Sequence, residues 1–129
     1  RDAGARDRLE AILHPEIARL RALEERRLRD AGVDIVVFEI PLLFEAGMED
    51  EVDVIVLVDA PRPERLERVV VTRGIDMAEA ERMEAAQHDP VRKRERADII
   101  IDNDGSLEEL EAAAERAWDE LQRRRVGSA

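Results

Sequence analysis

The stretch DIVVFEIPLLFEAGM, residues 34–48, decides the fold class. Ile35, Val36, Val37 and Phe38 form a run that is apolar on both faces; it leads to Glu39 and is stopped by Pro41. Strands apolar on both faces belong to parallel sheets covered by helices. A second such run, Val54 to Val58, ends on Asp59, Ala60 and Pro61. A third, Ile99 to Ile101, is closed by Asp102, Asn103, Asp104 and Gly105. Ligands of such sheets bind beyond the carboxyl ends of the strands. Polar residues at the first two of these strand ends, Glu39 and Asp59, therefore mark a candidate site.

Helical periodicity fills the rest. Residues 7–13 predict a short helix, interrupted at His14-Pro15 because the residue before proline avoids the helical region. Pro15 then opens a longer helix to Asp30 with Ile17, Leu20, Leu23 and Leu28 as its apolar stripe, ended at Ala31-Gly32. Further helices are predicted over residues 62–73 (Leu66, Val69 and Val70 inward, Gly74 as stop), 77–87 and 90–96. The last runs from Ser106, its cap, to about Arg124. Glu109 stands at the capping-box position, and Leu107, Leu110, Ala114, Ala117, Trp118 and Leu121 point inward. Strands interleaved with helices give an α/β fold: a parallel sheet layered with helices. A single domain over residues 1–129 is expected, with residues 73–96 as a lid-like helical segment over the sheet.

The composition narrows the function. The formal net charge is −11, which repels polyanions and argues against a general nucleic-acid binder. No run of eighteen apolar residues suggests a membrane span, and a cytoplasmic location fits. Cysteine is absent, which removes disulfides and thiolate metal sites. His14 and His88 stand far apart, without zinc-ligand spacing. Thr72, Ser106 and Ser128 are the only Ser or Thr residues and Tyr is absent, so a serine-hydrolase triad has almost no candidate nucleophile. Lys93 is the only lysine among abundant arginines.

Several residue groups have both a chemical and a structural reading. Arg73, Arg82, Arg92, Lys93, Arg94 and Arg96 suit a lid that neutralises phosphates; equally, they suit a solvated face paired with Glu79, Glu81, Glu84 and Glu95. Glu39, Glu45 and Asp59 suit a water-mediated Mg²⁺ site or a proton acceptor, or else pairing with arginines and helix ends. His14 suits contact with a ligand phosphate or ribose, or packing. The turn from Asn103 to Ser106 suits an adenine edge or a phosphate, or a plain strand-to-helix turn.

The order of these pieces resembles the dephospho-coenzyme A kinase family. The resemblance rests on His14-Pro15, on Pro41, Leu42, Leu43, Phe44 and Glu45, and on Val58 to Pro61. It continues through Leu66-Glu67-Arg68, Arg73-Gly74, Ala85-Ala86-Gln87, Lys93, and Ala97-Asp98 through Asn103 and Gly105. It implies a P-loop-kinase-like three-layer α/β/α fold. It also implies transfer of the γ-phosphoryl of ATP to the ribose 3′-hydroxyl of dephospho-coenzyme A, with Mg²⁺. In that picture Arg73, Lys93, Asn103 and Gly105 lie on the ATP and lid side. His14 and the residues Pro41, Leu42, Leu43, Phe44 and Glu45 face the coenzyme A substrate. Met83 stands where the family often carries an arginine.

Two family elements do not occur in these 129 residues: the strand, GxxxxGK[ST] loop and helix with which the family opens, and an aspartate-containing segment after it that resembles the source of the catalytic base. The resemblance places that strand between those matching residues 35–40 and 54–58. Two apolar edges then face a gap, and unpaired edges invite association. The sequence thus predicts either direct pairing of these strands or self-association with another copy. It predicts no autonomous kinase activity and no catalytic or metal-binding residue. The alternatives are a non-catalytic nucleotide-binding or self-associating module, and another small nucleotide kinase of the same fold.

Overall fold

In a computed structural model, the backbone is described for residues 3–85 and 90–127. The chain divides into two compact units, residues 1–39 and 40–129. Gln87 and His88 lie outside the described residues.

The first unit is built on α1, Ala3–Asp30, one continuous helix with Pro15 inside it. The interruption expected at His14-Pro15 does not occur. Proline removes one backbone donor, but Ala, Leu, Arg and Glu on both sides are strong helix formers and carry the helix through. Exposed pairs such as Arg19–Glu16 and Arg27–Glu24 decorate it; water screens them, so they add little to stability. Of the predicted stripe, Ile17, Leu20 and Leu23 are exposed and Leu28 is half-buried. Gly32, in the left-handed region at φ 74°, ends the helix. Its amide donates to Arg29 O, and the Val33 amide donates to Leu28 O.

Residues 34–40 form no strand among the described residues, contrary to the expectation for 35–40. A strand is defined by the ladder it makes with a neighbour. Apolar alternation alone cannot supply that neighbour. Among the described residues the sheet has two strands, and residues 35–40 belong to neither.

The second unit carries the sheet. β1, Val56–Asp59, pairs in parallel with β2, Ile99–Asp102, in the register Val56 to Ile99 and Asp59 to Asp102. The ladder is prolonged at its start, where the Asp98 carboxylate accepts from the Ile55 amide at 2.8 Å. Between the strands run α2, Arg62–Arg73, α3, Met77–Ala85, and α4, Pro90–Arg96, the long crossover that a parallel pair requires. Gly74, at φ 62°, closes α2. A small core forms from Phe44, Leu66, Ala80, Ile101 and Ala117.

The last helix, α5, Leu107–Gly127, packs on β2. Its inward face is narrower than predicted. Ala117 is buried and Leu110, Ala113 and Leu121 are half-buried, but Leu107 and Trp118 are exposed and so is Ala114. Small alanines let the helix lie close to the strand, and that turns the neighbouring stripe outward. The capping box forms as read from the sequence. The Ser106 amide donates to Glu109 Oε2 at 2.7 Å, and the Glu109 amide donates to Ser106 Oγ at 3.2 Å. These bonds hold the Glu109 carboxyl below the usual range. Ser106→Ala is expected to lower the stability of the chain by about 1 kcal/mol, read as a shift in the urea midpoint; an unchanged midpoint would deny the cap that role. No helix among the described residues is long and apolar enough to cross a membrane.

Candidate functional site at the carboxyl ends of the strands

The parallel register brings Asp59 and Asp102 side by side at the carboxyl end of the sheet. Two carboxylates so placed repel unless a cation lies between them. Arg94 of α4 supplies it. Its Nη1 donates to Asp59 Oδ2 at 2.8 Å and to Asp102 Oδ1 at 2.7 Å. Hydrogen bonds from Asp102 first, then Asp59, raise the Arg94 pKa further above its ordinary value.

Asp59 is tied from the other side as well. Arg65 of α2 donates to Asp59 Oδ1 at 3.2 Å and to the Ala60 carbonyl at 3.0 Å. The same guanidinium donates to Glu84 Oε1 at 2.5 Å, and Arg62 donates to Glu84 Oε2 at 2.6 Å. A continuous charge chain thus runs Arg62, Glu84, Arg65, Asp59, Arg94, Asp102. It fastens α2, α3 and α4 to the two strand ends. Burial of Glu84 raises its pKa, but the Arg65 and Arg62 hydrogen bonds outweigh that and hold it below the usual carboxylate range.

A carboxyl whose pKa is depressed in the folded state stabilises fully above its unfolded value, about 4.3. That contribution is lost as pH falls through the lower folded value. The wild-type urea midpoint should therefore fall as pH drops below about 4.3, and Glu84→Gln should flatten that limb. Parallel acid limbs for the two proteins would remove Glu84 from the network.

The other end of α4 meets the turn after Pro41. Lys93 Nζ lies 2.6 Å from Glu45 Oε1, with side chains 12% and 14% exposed. Arg96 pairs with Glu49 and stands over the Phe44 ring, 5.5 Å from its centroid. The turn is itself well determined. The Ala46 amide donates to Leu42 O at 2.9 Å and the Met48 amide to Leu43 O at 3.0 Å. Gly47 takes the left-handed conformation at φ 65° that such an ending needs. Phe44 is buried, Leu43 and Glu45 are half-buried, and Pro41 and Leu42 are exposed.

The sequence-derived candidates therefore separate into groups. Lys93 and Glu45, read as belonging to opposite substrate sides, are in direct contact. Asn103 is half-buried; its amide donates to Asp59 O at 2.6 Å and its carbonyl accepts from Arg68 at 3.0 Å. Gly105 leaves room for the capping carboxylate, since a Cβ there would collide with Glu109 Oε2. Arg73 is exposed at the end of α2. His14 is an exposed residue of α1, in the first unit, and so is Glu39 of residues 34–40. Arg65 and Asp102 were not singled out from the sequence. The signal was present in two apolar strands each followed at once by aspartate, which parallel pairing sets in register.

The expected pairing of the α4 cations with Glu79, Glu81, Glu84 and Glu95 gives way to pairing with Glu45, Glu49, Asp59 and Asp102. No group of three or more His, Cys, Asp or Glu side chains that could hold a metal ion occurs among the described residues. The strand-end carboxylates are engaged by guanidinium instead.

The comparisons agree with this geometry. Residues 1–109 match the family model CoaE, dephospho-CoA kinase. A dephospho-CoA kinase of Moorella thermoacetica is 45% identical over 126 residues, which cover 95% of this chain and 58% of that protein. The crystal structure of TT1252 from Thermus thermophilus superposes with a TM-score of 0.74 at 38% identity, covering 93% of this chain and 61% of the other. A dephospho-CoA kinase from Campylobacter jejuni superposes with a TM-score of 0.64 at 25% identity, covering 95% of this chain and 60% of the other. The chain spans less than two thirds of the length of these relatives. With the parallel α/β sheet, the motif order and these matches in agreement, the chain belongs to the dephospho-CoA kinase family.

Proposed function

We propose that these residues form the acceptor and lid side of an enzyme that transfers the γ-phosphoryl of ATP to the ribose 3′-hydroxyl of dephospho-coenzyme A. One observation carries the reading. Helix α4 touches both the Pro41 turn, through Lys93 and Glu45, and the carboxyl ends of β1 and β2, through Arg94. Ligands of parallel α/β sheets bind at those ends, and the turn and the strand ends then form two walls with α4 between them.

In this reading Pro41, Leu42, Leu43, Phe44 and Glu45 orient the acceptor. Arg73, Lys93, Asn103 and Gly105 belong to the ATP side, and residues 73–96 act as the lid. The chain's own residues bind, orient and exclude water; none of them abstracts the substrate proton. The described residues do not fit Mg²⁺, because Asp59 and Asp102 are held by Arg94 and Arg65. No step is therefore assigned to a metal held here. A cytoplasmic setting suits these nucleotide substrates.

Amide shifts in a ¹⁵N-labelled chain test the assignment. Dephospho-coenzyme A at millimolar concentration should move the amides of Leu42 to Glu45, and ATP those of Asn103 and Gly105. Shifts confined to α1 or α5 would overturn it. Movement of the turn by another nucleoside monophosphate alone would favour a different acceptor.

A second reading rests on the edge of β1. The sheet has two strands, and Val56 and Val58 are exposed. An unpaired apolar edge favours self-association. Light scattering after size exclusion decides this, and a monodisperse monomer at high concentration rules it out.

A further inference from the structure

We propose that Lys93 and Glu45 are positioning residues that lock the turn after Pro41 to α4, so that the two segments open and move as one body. The functional meaning of this lock rests on the reading above, in which the turn faces the acceptor and α4 belongs to the lid.

The geometry has three parts. First, the ion pair is short, 2.6 Å, and both side chains are largely withdrawn from water. Separating the pair takes a close opposite charge from each side chain in a poorly solvated place. Second, Arg96 lies three residues further on, on the same helical face. It adds an ion pair to Glu49 and a guanidinium-over-ring contact to Phe44, which is itself buried. The turn is thus gripped at Phe44, Glu45 and Glu49 by one side of one helix.

Third, neither segment is free to absorb the other's motion. Helix α4 has seven residues, too few to hold itself by backbone bonds alone. Its position is set by the side chains it engages. The turn has its own hydrogen-bonded frame ending at Gly47, so a displacement at Leu42 or Phe44 carries Glu45 with it. A molecule seated against the turn would therefore displace α4 and, through Arg94, pull on Asp59 and Asp102. Acceptor occupancy and lid position are in this way a single mechanical variable.

Native-state hydrogen exchange on the whole chain tests the lock without any ligand. In low urea, the amides of Ala46, Gly47 and Met48 should open with the same free energy and urea slope as those of Arg94 to Arg96. Lys93→Met should speed exchange in the turn, and Glu45→Gln should speed exchange in α4, each by at least about tenfold. The exchanged pair, Glu45→Lys with Lys93→Glu, should restore part of both effects. Different urea slopes in the wild-type chain, or effects confined to the altered segment, would overturn the proposal. The wild-type slopes decide even if a variant does not fold. No substrate enters the measurement, so its outcome is independent of whether the turn receives dephospho-coenzyme A.

Discussion

The 129 residues mixed with ATP, Mg²⁺ and dephospho-coenzyme A are expected to form no phosphorylated product. The same residues joined behind a strand–GxxxxGK[ST]–helix segment of the family, together with the aspartate-containing segment that follows it there, are expected to form it. The loop's amides cradle the phosphates, its lysine neutralises them, and its Ser or Thr hydroxyl meets the metal ion. Nothing in these residues replaces that set. The single lysine is engaged by Glu45, and Arg94 is held by two aspartates. Removing one preorganised donor from an active site costs roughly 10²–10³ in rate, so a ratio of at least about 10³ between the two proteins is expected. Chromatographic detection of coenzyme A settles it. Turnover by the chain alone would show that phosphate binding has been rebuilt from other residues. An inactive joined protein that still folds would remove the assigned acceptor.

Lys93→Met should lower the unfolding free energy by about 3 kcal/mol, toward the lower end of the range for breaking a buried pair because a small part of each side chain remains wet. The contrast with α1 is informative. There, removing Arg19 from its exposed pair with Glu16 should leave the urea midpoint almost unchanged. Urea melts of both variants give the difference directly. The double change Lys93→Met with Glu45→Gln should recover much of the loss, since no charge is left stranded. Equal, small effects at Lys93 and Arg19 would mean that water reaches the pair freely.

How much of this was legible beforehand depended on how local the cause was. Helix α2 and its stop at Gly74 follow from spacing and one left-handed glycine, and both were readable. So was the Ser106 and Glu109 box, whose bonds span three residues. The apolar run 35–38 was read correctly as apolar on both faces and wrongly as a strand here, because pairing belongs to two segments and the sequence shows one at a time. Pro15 misled in the opposite direction, where a local penalty was outweighed by helix formers on either side. At the site, Asp59 at the end of β1 was visible as a candidate, but neither Asp102 beside it nor their shared cation was. Arg94 and Lys93 are adjacent in sequence yet serve different partners, one at the strand ends and one at the turn. Which face of a short helix meets which carboxylate is fixed by packing, and no spacing rule contains it.

The engaged state of Lys93 has a practical consequence. It is the only lysine in the chain, and its amine is held against Glu45 with little surface showing. An acylating reagent such as an activated ester can attack that amine only when the pair opens and the ammonium loses its proton. Apart from the terminal amine, the chain then offers one acylation position, and its labelling rate reads how often α4 lets go. Arginine-rich composition, which makes most of the surface inert to such reagents, thereby turns one ion pair into a built-in, single-position reporter.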